Sequence, residues 1–367
     1  MGPANKSLFF KVAKSISSKL GYNNKISNNH LPCYTPKPPH AQDQHTDGNS
    51  DNKLLFRQRY MNKNRDVYYF SILHPGENGL FFSSVKKYNL LNHRFDNNSY
   101  PSRILGSFNG ILCLEDESGS GNVVLWNPVT DELKSLPPSS IEPEEDVSDT
   151  YYNSAFGFDA RSGDYKVIRC VHHRYFDDQP IRFTYEFELY SLKNDSWRPI
   201  LNPVDVRSLP ISIPTNVNGS CYFDFISEVV SFDFADEVFS VLPKPPLSHV
   251  HLLCCIDGSK LDIIHYRSKG DRKSLDLWSW ESRKGCWSNV DSFVLEGVKR
   301  PLLLWGRDKC FLEGNNLELL LFDLKTRELK SLGIKDSPPC KFRSSVEIKL
   351  VSFVESTVSI KGLSKVG

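Results

Sequence analysis

The chain has no C-x-x-C pair, no long apolar run, only two Met and no excess of either charge. Each absence excludes something. The nine cysteines are odd in number and scattered. They offer neither the close ligand pairs of a zinc site nor the even framework of a small secreted domain, so reduced, mostly buried thiols are expected. No stretch approaches the roughly 20 apolar residues that span a bilayer, and no apolar segment with a cleavage site opens the sequence. The 45 Lys+Arg balance 44 Asp+Glu to a formal charge of +1. That leaves no global field to gather nucleic acid or an anionic membrane. A cytoplasmic protein, also admissible in the nucleus, with no nucleic-acid, membrane or cofactor partner, is the expectation.

What is present points to strands. Aromatics make up 12% of the 367 residues, with 23 Phe and 15 Tyr, and 22 Pro with 21 Gly punctuate many short segments. Residues 1–52 differ in kind. The first 42 contain six Lys and no Asp or Glu. Leu8, Phe9, Val12, Ala13, Ile16 and Leu20 recur at helical spacing between Ser7, a fitting N-cap, and Gly21, a stop. One short amphipathic helix is expected, followed from Pro32 to Asn52 by a polar, Pro-rich linker with too little apolar surface to fold.

From 53 to 367 the pattern becomes short alternating strands with an internal repeat. Five segments share one template: VVLWNPVTDELKSLPP, FELYSLKNDSWRPI, VVSFDFADEVFSVLPKPP, LDLWSWESRKGCWSNV and LLLFDLKTRELKSLG. Their anchor aromatics are Trp126, Tyr190, Phe232, Trp278 and Phe322, at steps of 64, 42, 46 and 44 residues. In four copies apolar residues follow at seven (Leu133, Trp197, Phe239, Leu329) and ten (Leu136, Ile200, Leu242, Leu332); the fourth copy reaches Trp287 and Val290 two residues later. Each copy reads as a β-hairpin, and further strand pairs such as SFNGILCLE lie between copies. Units of four short strands have the size of a propeller blade. The C-terminal VEIKLVSFVESTVSI reads as an inner pair completed by strands near Asp66–Ile72 and Leu80–Tyr88, which would join the chain ends and remove open edges. An all-β, propeller-like domain of about six blades follows, with an open stack of two sheets as the alternative.

Catalytic constellations are hard to find. Asp131, Asp195, Asp236 and Asp271 could pair as in glycoside hydrolysis, but Asp in a hairpin turn caps local backbone without any substrate. His172–His173 and His249–x–His251 lack supporting ligands at metal spacing. The loop ESGSGNV lacks the ending of a phosphate loop and the helix after it.

Several blocks together carry a family resemblance. Asn109–Gly110, Trp126–Asn127–Pro128, Gly157–Phe158–Asp159, Asp164–Tyr165–Lys166–Val167, Tyr190–Ser191–Leu192 with Ser196–Trp197–Arg198, and Phe232–Asp233 resemble, in order and spacing, the F-box-associated domain of plant F-box proteins. The likeness covers roughly 53–365, and the S-locus F-box proteins of pollen are nearest in style. The F-box itself is expected to be missing or degenerate here. No L-P-x-x-x-x-x-x-I-L-like segment stands in the sequence, and Lys6–Ile16 resembles only a shortened form of the family's K-S-L-x-R-F-K-x-V-x-K-S-W stretch.

The resemblance implies a substrate receptor of an SCF-type ubiquitin ligase, without catalytic residues of its own. Its partners would be a Skp-type adaptor, a cullin scaffold and a target protein, in the S-locus subgroup a self-incompatibility ribonuclease. A stand-alone binding module that lacks ligase coupling is the alternative. Leu8, Phe9, Val12 and Ile16 are the expected adaptor-docking face. Expected target-binding loops are the acidic 139–150 with Glu144 and Asp146, 172–180 with His172, His173 and Arg174, and 267–273 with Arg267, Lys269 and Arg272.

Overall fold

The computed structural model describes residues 53–361 except 63–64, 76–80, 89–100, 117–119, 143–146, 176–181, 202–209, 211–213, 218, 248–250, 256–260, 270–271, 307 and 336–347. The expected N-terminal helix and linker, with Leu8, Phe9, Val12 and Ile16, lie outside the described residues. The described strands form six four-stranded antiparallel sheets. Blade 1 holds β1 (Lys53–Asn62), β2 (Arg65–Pro75) and β3 (Phe81–Tyr88). Blade 2 is β4 (Pro101–Phe108), β5 (Ile111–Asp116), β6 (Val123–Asn127) and β7 (Glu132–Ser135). Blade 3 is β8 (Val147–Asp159), β9 (Asp164–Tyr175), β10 (Arg182–Ser191) and β11 (Ser196–Ile200). Blade 4 is β12 (Thr215–Val217), β13 (Ser220–Asp224), β14 (Glu228–Asp233) and β15 (Val238–Pro243). Blade 5 is β16 (His251–Cys255), β17 (Leu261–Lys269), β18 (Arg272–Glu281) and β19 (Cys286–Glu296). Blade 6 is β20 (Val298–Trp305), β21 (Lys309–Gly314), β22 (Glu318–Asp323) and β23 (Leu329–Lys335), and β24 (Ile348–Phe353) returns to pair with β1.

That return closes a β-propeller. The first strands β24, β4, β8, β12, β16 and β20 touch one another in turn around the ring. The closing blade differs from the sequence expectation in one respect. The C-terminal segment supplies one strand, not two, and the place of the second is taken by β1, beside β2 and β3. Residues 354–361 leave the sheet altogether.

The repeat explains the hairpins residue by residue. Trp126 faces Leu133, Tyr190 faces Trp197, Phe232 faces Phe239 and Phe322 faces Leu329 across the third and fourth strands of their blades. In blade 5 the pair is Trp280 and Trp287, after a register shift between Leu277 and Trp278. The anchor there is therefore Trp280, not Trp278, and the turn is no longer than the others. The turns agree: Asp131, Asp195, Glu237, Gly285 and Arg327 all take left-handed φ, between 52° and 64°, at the same step after their anchors. The residue after the anchor often caps the turn. Asn127, Asp233 and Asp323 each accept two backbone N–H groups through Oδ1, as an Asx turn requires.

There is no single core. Six apolar clusters fill six joints between blades. Anchor residues face the preceding blade, and residues three positions past the facing partner turn to the following one, because strand side chains alternate. Thus Leu136, Ile200, Leu242 and Leu332 enter the next joint. Val290, displaced by the blade 5 bulge, is instead exposed. Two joints are also hooked: Trp197 Nε1 donates to the Pro137 carbonyl at 2.8 Å, and Trp287 Nε1 to Pro243 at 2.7 Å. Cys113, Cys170, Cys221 and Cys310 carry buried thiols that pack in the joints.

Candidate protein-interaction surface

Antiparallel order gives the ring two rims. The connections between first and second strands and between third and fourth strands lie at one rim; those between second and third strands, and from blade to blade, lie at the other. At the first rim the hairpin turns spend their charge on neighbouring blades. Lys134 pairs with Asp195 at 2.7 Å, Arg161 with Asp236, Arg198 and Lys166 with Glu237, and Arg327 with Asp291 at 2.9 Å. Of the turn aspartates that could have formed a carboxylate pair, Asp195 and Asp236 are thus committed, and Asp195 also accepts from the Tyr190 hydroxyl; Asp271 lies outside the described residues.

The second rim is uneven. The third strands of blades 1, 3 and 5 have 11, 10 and 10 residues, whereas those of blades 2, 4 and 6 have 5, 6 and 6. In blades 2 to 6 the anchors sit one residue from the first-rim end of their strands, and in blade 1 β2 pairs with β3 up to its own end at Pro75, so the surplus lies at the second rim. Four to six extra residues at ~3.3 Å each raise three alternating hairpins by roughly 13–20 Å. Blades 3 and 5 carry the loops singled out in the sequence.

The individual residues fall differently. Glu144 and Asp146 lie outside the described residues. Arg267 and Arg272 are exposed at the tall end of blade 5, paired with Asp276 at 3.0 Å and with Glu296 at 2.8 Å. Lys269 ends β17. Arg174 is half-buried, 3.5 Å from Asp149. His172 and His173 are not loop residues: both lie within β9 and are only 2% and 1% exposed. A second strand of a propeller has neighbours on both faces, so alternation does not free either ring. Tyr151 stacks on His172 at 5.5 Å, and Thr150 Oγ1 lies 3.0 Å from His173 Nδ1.

Burial, with the adjacent His173, pushes the His172 imidazole down to about 3. The folded state then binds fewer protons than the unfolded chain below the ordinary histidine range, so stability falls with falling pH. This one ring is expected to account for on the order of 2 kcal/mol lost between pH 6.5 and 5. Urea midpoints across that range should flatten in His172→Phe; an unchanged slope would assign the pH dependence elsewhere.

Beneath the second rim lies a network that sequence reasoning missed. Arg169 and Glu188, 2% and 0% exposed, pair at 3.0 Å. Arg169 also donates to the Gly121 carbonyl at 2.6 Å and stacks over Trp197 at 4.2 Å. Glu188 accepts from Ser139 Oγ, Ser140 N and Ser140 Oγ, each at 2.9 Å. The pair thereby ties blade 3 to blade 2 and fixes the start of the 139–150 segment. A charged residue in an aromatic strand was its only sequence signal. Among the described residues no cluster of three or more His, Cys, Asp or Glu is placed to hold a metal ion, and no helix is long and apolar enough to cross a membrane.

Residues 58–360 match the family described as F-box associated beta propeller domain. The chain belongs to that family. As an F-box-associated propeller, it is similar to F-box protein CPR1 of Arabidopsis thaliana, with 27% identity over 65% of this chain and 65% of that protein. It is also similar to F-box protein At3g07870 of the same plant, with 26% identity over 70% of each. The F-box-associated propeller thus spans about two thirds of the length of these relatives. Among solved structures it is similar to TolB from Acinetobacter baumannii, at 10% identity and a TM-score of 0.47 over 83% of this chain and 67% of that one.

Proposed function

We propose that this F-box-associated propeller is the substrate-recognition part of an SCF-type ubiquitin ligase. The observation that carries the reading is the family match over 58–360, on a chain whose curated relatives are F-box proteins. In this role the chain performs no bond chemistry. It holds a target protein near a charged conjugating enzyme and raises the local concentration of its lysines. A Skp-type adaptor and a cullin scaffold are the proposed partners, in cytoplasm or nucleus. The S-locus likeness of the repeat blocks supports a pistil self-incompatibility ribonuclease as the target class. The second rim is the proposed docking side, because turn charges of the first rim, among them Asp195, Asp236, Glu237 and Arg327, are already engaged between blades.

The test is co-purification of the full chain with a Skp-type adaptor, with and without residues 1–25, together with target half-life. Adaptor capture that depends on 1–25, with a shortened target half-life, is expected. A chain that binds a target but no adaptor, and leaves the half-life unchanged, would be a stand-alone binding module instead.

A further inference from the structure

After β24 the chain crosses the first rim of blade 2 as a strap, and it is held there by side chains rather than by a sheet ladder. Asn127, fully buried, donates from Nδ2 to the carbonyls of Ser356 at 3.0 Å and Val358 at 2.7 Å. Glu132 accepts from Ser359 Oγ at 2.9 Å and from the Ile360 N–H at 2.6 Å. Ile360 is fully buried in the joint between blades 2 and 3. The strap also needs room that only glycine leaves: a Cβ on Gly110 would lie 2.5 Å from Ser356 Cβ.

Among the described residues, the other blades lack this arrangement. At the position of Asn127, blades 4 and 6 carry Asp233 and Asp323, which cap their turns equally well. A carboxylate cannot donate, however, so the two strap carbonyls select Asn over Asp. Reading backbone carbonyls with a side-chain amide, a backbone N–H with a carboxylate, and one aliphatic side chain with a pocket is how a protein binds an extended peptide.

We propose that this surface is a peptide-binding groove, occupied by the chain's own residues 354–361. It takes an extended peptide with an aliphatic side chain at the place of Ile360 and a hydroxyl at the place of Ser359. Because no strand pairing holds the strap, an equivalent peptide can replace it.

The probe is a fluorescent peptide with the sequence of Val354–Lys361. In the full chain, Ile360→Asp should eject the strap, since it would bury a carboxylate in an apolar joint. The peptide should then bind this variant about tenfold or more tighter than the unchanged chain, and adding Asn127→Asp should remove that gain. Equal binding to both chains, or none to a folded Ile360→Asp chain, would overturn the proposal. Should that variant fail to fold, hydrogen exchange in Asn127→Asp alone decides. The Ile360 amide should exchange faster while the Val129 and Thr130 amides, still capped by the new carboxylate, remain protected; unchanged strap protection would overturn the groove.

Discussion

Replacing Arg169 alone by Met should cost about 3–5 kcal/mol, because it strands a buried carboxylate without its countercharge. Glu188 is fully buried, and only neutral donors, the two serine hydroxyls and one backbone N–H, would remain around it. The loss extends past the pair: the guanidinium also satisfies the Gly121 carbonyl and covers the Trp197 ring. Urea unfolding at neutral pH is the measurement. Removing both charges, as Arg169→Met with Glu188→Leu, should cost less than Arg169→Met alone. A single variant that loses under 1 kcal/mol would mean that water reaches Glu188 and that the joint is looser than described.

Deleting 348–361 should abolish cooperative unfolding. Without β24, Leu54, Leu55 and Phe56 of β1, now buried, would stand on an open edge, and β20 and β4 would lose the neighbour that lies between them. Phe353 and Leu350 leave two different joints at once, those of blades 1 and 2 and of blades 6 and 1. An exposed apolar edge strand also invites pairing between molecules. Thermal melts followed by circular dichroism should therefore show a broad, early loss of strand signal with aggregation. A truncated chain that melts within a few degrees of the full one would place the stability in the blades and not in the ring.

How far the sequence showed this can be judged from particular residues. Blade number and the positions of the outer hairpins were legible because anchor and partner are seven residues apart, a spacing fixed by a four-residue turn between facing strands. Trp278 misled because two tryptophans share one strand and one face; the left-handed position at Gly285 identifies Trp280 as the anchor. The stretches 172–180 and 267–273 were legible as charged, yet the histidines beginning the first are interior strand residues, since a charged end does not reveal how far a strand runs. The inter-blade contacts of Arg169, Glu188 and Asn127 were not legible. Each depends on a partner in another blade or in the C-terminal strap, a separation that neither alternation nor turn chemistry records.

The alternation of long and short third strands has a mechanical consequence. Three supports are the fewest that fix the tilt of an object, and the tall hairpins of blades 1, 3 and 5 stand at every second place around a ring of six. Anything resting on all three is held as on a tripod: it can lift off or turn about the ring axis, but it cannot rock. Shortening any one hairpin would turn a fixed tilt into a hinged one while leaving the other two contacts intact.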